Sequence, residues 1–175
     1  MLIGLLGRSR VGKDTVALGL KTYFNDAQII RLSTPLKEAV CALYAFTPEQ
    51  VEGPDKEVVD MRYGFTPRIA IQSLCKYMMD LNGETFFTKQ CYQKIDSSQR
   101  TFIIPDVRYS HDIDEIHKRN GIVIKVTRPS NCPVHQWEDK ISELVGDYEI
   151  VNDGSIEDLH KKCSLLCGEI TGKVK

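Results

Sequence analysis

The chain has almost no surplus of charge: 23 Lys and Arg stand against 24 Asp and Glu over 175 residues, a formal net charge of −1. A protein that tracks a nucleic-acid backbone carries a basic footprint, so binding of nucleic acid is not expected and any affinity for phosphate must be local. No apolar run approaches the roughly twenty residues that cross a bilayer, so no membrane partner is expected. The six cysteines, at 41, 75, 91, 132, 163 and 167, include no C-x-x-C pair, and the four histidines include no H-x-x-x-H pair. The chain opens directly into a strand-like run rather than a secretory leader, so the cysteines are expected to be reduced core thiols of a cytoplasmic protein. Cys163 and Cys167 are spaced as half a metal site, but only His160 lies near and no fourth ligand is evident. No linker, internal repeat or low-complexity segment divides the sequence, and one domain over 1–175 is expected.

Among the residues that are present, "GLLGRSRVGKDT" (4–15) carries the most chemistry. Met1–Leu6 suits a buried parallel strand, Gly7 and Gly12 bound a loop, and Val16, Ala17, Leu20, Tyr23 and Phe24 have helical spacing. Strand, glycine-bounded loop and helix are the context in which backbone N–H groups and a helix N-terminus cradle phosphates, with Lys13 supplying a mobile charge. The usual pattern has Ser or Thr after the lysine; here Asp14 intervenes and Thr15 comes one place late. A carboxylate can hold Mg²⁺ as a hydroxyl does, while adding a negative charge beside the phosphates.

Further along, Gln28–Leu32, Thr101–Ile104, Ile122–Val126 and Tyr148–Val151 read as strands. Thr34-Pro35, Thr47-Pro48 and Thr66-Pro67 read as helix starts with a Thr N-cap, the second with Gln50 completing a capping box. The third helix stops at Asn82-Gly83, another runs from about His111 to Arg119, and Ser155 caps a last one reaching about Cys167. This alternation predicts an α/β fold with a parallel sheet flanked by helices in three layers.

"IIPDVR" (103–108) puts Asp106 at the carboxyl end of a buried strand, where open α/β sheets bind ligands. There a carboxylate can orient Mg²⁺ or take a proton from an attacking phosphate oxygen, and Arg108 can neutralise transferring charge. An Asp capping the next helix is the plainer alternative. In "TPRIAIQSL", Arg68 and Gln72 share a helix face and could grip a phosphate together with a base or sugar, although spacing alone favours a solvated helix face. The polar stretch Arg128–Glu143, with the single Trp, has the length of a mobile flap.

These segments together resemble the deoxynucleoside monophosphate kinases of tailed phages and related viruses, a branch of the P-loop kinases. "GRSRVGKDT" is similar to that family's G-x-x-x-S-G-K-D-T loop, so Asp14 follows the family's own spelling. "LSTPLKEAV", "TPRIAIQSL", "IIPDVRYSHDIDEIHKRNGIVIKVTRP" and "IVNDGSIEDL" resemble its later segments, and the likeness covers nearly the whole chain. It departs from the pattern at Val11, at Cys75 and at Lys140, where the family has a small residue, Gly and His.

The resemblance implies an NMP-kinase-like P-loop fold with a mobile flap, and transfer of a phosphoryl group from ATP, with Mg²⁺, to deoxynucleoside monophosphates for DNA synthesis. It implies that Gly7, Arg10, Val11, Gly12, Lys13, Asp14 and Thr15 hold the donor triphosphate, with Asp14 and Thr15 on the metal. Lys56, Arg68, Gln72, Phe87 and Asp106 would surround the acceptor. Lys13, Asp106, Arg108 and Arg128 would carry the catalysis, and Asn152, Asp153 and Gly154 would lie near the donor adenine. The work would be cytoplasmic, in a host if the source is viral; oligomeric state, a homodimer included, is left open. Phosphomevalonate kinase, with a similar G-K-D loop and PLKE-like stretch, and dephospho-coenzyme A kinase are the alternative enzymes. A GTPase switch would want N-K-x-D, and a nucleic-acid motor two adjacent acidic residues at a strand end; neither is present.

Overall fold

The computed structural model describes residues 1–93, 95, 100–129 and 136–172, and of 136–139 the backbone only. Two compact units emerge, one formed by 1–31 with 93–175 and the other by 32–92.

In the first unit five parallel strands, β1 (Leu2–Leu6), β2 (Gln28–Ile29), β3 (Phe102–Val107), β4 (Ile122–Thr127) and β5 (Tyr148–Val151), form one sheet in the order β2-β3-β1-β4-β5. β1 is buried along its whole length, as a strand covered on both faces must be. Helix α1 (Lys13–Tyr23) lays Val16, Ala17 and Leu20 against the core, which Leu159, Cys163, Leu166 and Cys167 of α8 (Ile156–Ile170) complete. Cys163 and Cys167 are thus core thiols, and burial pushes them up to about 11 and about 12. Among the described residues no group of His, Cys, Asp and Glu could hold a metal ion by itself, and no helix is long and apolar enough to cross a membrane.

Two strands differ from the sequence expectation. β2 stops at Ile29, although the Ile30 amide still donates to the Ile103 carbonyl at 2.9 Å. β3 runs on from Ile104 through Pro105 and Asp106 to Val107. Pro105 has no N–H to give a ladder, and the pairing with β1 accordingly slips by one residue, from Gly4 opposite Ile104 to Leu6 opposite Val107. The proline that would end a strand instead makes a bulge in it.

The second unit holds α2 (Thr34–Tyr44), α3 (Pro48–Glu52), a 3₁₀ turn (Pro54–Glu57), α4 (Pro67–Asn82) and α5 (Phe86–Gln93, whose last residue falls in the first unit). Thr47 caps α3 with the expected box, and Thr66 caps α4 through the Ile69 amide. Helix α2 begins differently: Ser33, with helical backbone angles, is its N-cap, so Thr34 and Pro35 lie inside the first turn. Its core gathers Val40, Phe46, Val51 and Ala70. The remaining helices, α6 (Ser110–His117) and α7 (Gln136–Glu143), belong to the first unit. Helix α5 has no counterpart in the sequence reading, and α8 extends past Cys167 to Ile170.

Candidate active site

Parallel strands end on a common edge, and the topology brings the chemistry-bearing residues there. β1 runs into the loop 7–12, its neighbour β3 ends with Asp106, Val107 and then Arg108, β4 is followed by Arg128, and β5 by Asn152. Val107 is fully buried, which seats the half-buried Asp106 and the exposed Arg108 on either side of a fixed anchor.

The loop is a tightly specified piece of backbone. Gly7 has φ 155° and Gly12 φ 100°; a Cβ on Gly7 would stand 2.4 Å from the Val126 carbonyl oxygen, and one on Gly12 2.5 Å from Nδ2 of Asn152. Both glycines are demanded by the backbone angles and the packing of the protein itself. Arg10, exposed, also takes a left-handed φ of 61°. Val11 is buried, and its carbonyl accepts a hydrogen bond at 3.0 Å from the buried amide of Asn152. Gly12 is the N-cap of α1 and brings no side chain to it, unlike Thr47, Thr66 and Ser155 at α3, α4 and α8.

Lys13 folds back over this loop, its Nζ donating to the carbonyls of Gly7 at 2.7 Å and Arg8 at 2.5 Å. Asp14, in the first turn of α1, is exposed and accepts from the guanidinium of Arg31 at 2.6 Å. Thr15 follows, half-buried. Arg8 reaches away, donating from Nε to Ser142 Oγ of α7 at 2.8 Å. Lys125 of β4 donates to the Ser142 and Leu144 carbonyls, both at 2.8 Å, and so ties down the C-terminal end of α7.

After β3, the carboxylate that binds the turn is Asp112, buried in α6 and accepting from the amides of Arg108 and Tyr109 at 3.1 Å each. Asp112 thereby serves the start of α6, whose N-cap is Tyr109. Beyond β5, Asp153 pairs with Lys162, which holds its carboxyl below the usual carboxylate range, and Gly154 packs a would-be Cβ 3.0 Å from Asp158 Oδ2.

Four expected acceptor residues lie in the second unit. Arg68, at the start of α4, donates from Nε to Glu57 Oε1 of the 3₁₀ turn at 2.6 Å. Lys56, half-buried, is Glu57's neighbour in that turn. Gln72 is exposed, and Phe87 stacks edge-on against Phe86 with centroids 5.1 Å apart. Of the expected flap, residues 130–135 lie outside the described residues, whereas 136–143 form α7, in which Lys140 is exposed.

Sequence reasoning missed Arg31, Arg8, Ser142, Lys125 and Asp112, and the grip of Asn152 on the loop. Only Asp112 carried a local signal, a carboxylate three residues into a helix.

The profile of the deoxynucleotide monophosphate kinase family matches residues 76–163, half of the 175-residue chain. Deoxynucleotide monophosphate kinase of Enterobacteria phage T4 is 33% identical over 78 residues, which is 43% of this chain. That stretch is 32% of the T4 protein, so the match spans about a third of the relative's length. Among solved structures, shikimate kinase from Aquifex aeolicus aligns over 98% of this chain and 99% of its own, with TM-score 0.54 and 15% identity. Dephospho-CoA kinase from Campylobacter jejuni aligns over 97% and 96%, with TM-score 0.53 and 14% identity. At such identities these two establish the P-loop kinase fold.

Proposed function

The chain belongs to the deoxynucleotide monophosphate kinase family, and from that premise we propose that it is a kinase that moves the γ-phosphoryl group of ATP to a deoxynucleoside monophosphate, giving ADP and a deoxynucleoside diphosphate for DNA synthesis in the cytoplasm. We read the two units as one kinase domain. The observation that carries the proposal is the shared sheet edge, where a glycine loop opening α1 stands beside the strand that ends in Asp106 and Arg108.

The residues fit the groups such a reaction needs. The amides of the loop and of the first turn of α1, whose N-cap Gly12 brings no side chain to them, suit a triphosphate. Lys13, whose Nζ donates to two carbonyls of the loop, carries a mobile charge that phosphate oxygens would attract. Asp14 and Thr15 offer a carboxylate and a hydroxyl, a donor set that suits Mg²⁺ completed by substrate phosphates and water. Magnesium, when bound, supplies charge neutralisation at the transferring phosphates.

An oxygen of the acceptor phosphate attacks the γ-phosphorus; the bond from that phosphorus to the oxygen bridging the β- and γ-phosphates breaks, and ADP departs with the electron pair. Lys13 would follow the charge onto the leaving oxygen. Asp106 would orient the attacking oxygen and take its proton when the acceptor arrives as the monoanion. Arg108 and Arg128 would balance charge on the phosphates. Asn152, Asp153 and Gly154 would lie near the donor adenine, with Gly7, Arg10, Val11 and Gly12 around its phosphates. Lys56, Arg68, Gln72 and Phe87 would receive the acceptor, with Arg68 exchanging Glu57 for its phosphate.

The test is steady-state turnover with Mg·ATP and a panel of deoxynucleoside monophosphates, ribonucleoside monophosphates and phosphomevalonate, beside Lys13→Ala. Deoxynucleoside monophosphates should be preferred, and Lys13→Ala should lose about 10²-fold or more in kcat while melting like the wild type. Near-normal turnover in Lys13→Ala, or preference for phosphomevalonate, would overturn the assignment.

A further inference from the structure

We propose that Arg31 is a positioning residue that neutralises Asp14 and thereby sets how strongly nucleotide binding depends on Mg²⁺; this deepens, and rests on, the nucleotide reading of the loop. Asp14 presents a problem of charge. It sits in the first turn of α1, directly after the lysine that would meet the outer phosphates, and its side chain is 72% exposed. A carboxylate there repels a bare triphosphate. Arg31 answers that charge from another element: its guanidinium stands 2.6 Å from Asp14 Oδ1, although 17 residues separate the two in sequence. The backbone just before Arg31 is held to the sheet by the bond from the Ile30 amide to the Ile103 carbonyl. The guanidinium is a fixed cation that does not titrate, and its side chain is about half as exposed as that of Asp14, at 35%.

Two cations therefore have a claim on one carboxylate. With no metal present, Arg31 cancels the charge of Asp14 and leaves Lys13 and the loop amides to attract phosphate. With Mg²⁺ on the nucleotide, the metal supplies the positive charge and Arg31 matters less. Loss of Arg31 should consequently weaken the binding of metal-free nucleotide much more than that of the metal complex.

Calorimetric titration of ATP, once in EDTA and once in excess Mg²⁺, tests this on the wild type, Arg31→Met, Arg31→Lys, Asp14→Asn and the double variant Asp14→Asn/Arg31→Met. Arg31→Met should weaken ATP about fivefold in EDTA, the size expected from a partly exposed charge pair, and by less than about twofold in Mg²⁺. Arg31→Lys, which keeps the charge, should stay within about twofold in both. In the Asp14→Asn background the EDTA effect of Arg31→Met should vanish. An equal loss in EDTA and Mg²⁺, a loss that persists without Asp14, or no loss at all would overturn the proposal while ATP binding by the wild type leaves the nucleotide reading standing. Failure of the wild type to bind ATP in Mg²⁺ would overturn that reading itself and this inference with it.

Discussion

The amide of Asn152 reaches across 141 residues of sequence to the carbonyl of Val11, inside the core and next to the glycine that opens α1. That single contact couples the end of β5 to the conformation of the loop. Asn152→Ala should leave the buried carbonyl without its donor and cost about 1–3 kcal/mol in urea unfolding, with the Michaelis constant for ATP raised more than that for the acceptor. Asn152→Asp should be worse, because a carboxylate has no hydrogen to give and sets oxygen against oxygen. If both variants keep full stability and alter only the preference for the donor base, Asn152 reads adenine and is not a strut. The loop residues Gly7, Gly12 and Lys13 were legible in the sequence because the chemistry they share is local, a strand, a turn and a helix in immediate succession. Asn152 and Arg31 were not read in this way, since each acts on a partner brought close only by the sheet order.

At the scale of an element, the hairpin ahead of α4 shows how the second unit orients its candidate acceptor helix. Asp60 and Phe65 pair across a turn, and Asp60 holds Arg62 in a two-point bond, Oδ1 to Nε at 2.9 Å and Oδ2 to Nη2 at 2.7 Å. The guanidinium in turn lies over the rings of Phe46, 5.8 Å away, and Tyr63, 5.2 Å away. One residue past Phe65 comes Thr66, the cap of α4, and two further is Arg68. The hydrogen bond from Arg62 lowers the Asp60 carboxyl to about 2, against an ordinary value near 3.9 in an unfolded chain. A depressed carboxylate stabilises the fold above the unfolded value, so this contribution should be intact above about pH 4 and disappear as pH falls towards 2. Urea unfolding of wild type and Asp60→Asn should therefore differ clearly at pH 7, and the difference should shrink below about pH 4 and be nearly gone at about pH 2; a difference that stays constant with pH would mean that the pair is not what holds the hairpin. The helix caps Thr47, Thr66 and Ser155 could be read directly, because a cap and the amides it binds lie within one turn. The start of α2 could not be read so: Ser33 and Thr34 are both good caps, and which one is used depends on where the backbone turns helical.

For the whole molecule, the alternation of strands and helices sufficed to expect a parallel sheet, since crossovers between parallel strands need a helix. It did not supply the order β2-β3-β1-β4-β5, because every buried strand here reads as an apolar run whatever its neighbours. The order sets the strand that ends in Asp106 beside β1, which runs into the loop ahead of Lys13, although 93 positions part Lys13 from Asp106 in the numbering. Nor does any shift of composition betray the second unit, 32–92, which interrupts the first between β2 and β3. The account of this protein as a phosphoryl-transfer enzyme stands or falls on where one phosphorus atom goes. With ATP labelled in its γ-phosphoryl group, Mg²⁺ and a deoxynucleoside monophosphate, the label should appear in the β-position of the deoxynucleoside diphosphate, one equivalent for each ADP formed, and should not be released when the acceptor is omitted. Label recovered as inorganic phosphate at a rate indifferent to the acceptor would contradict the account and mark the chain as a nucleotide-hydrolysing switch.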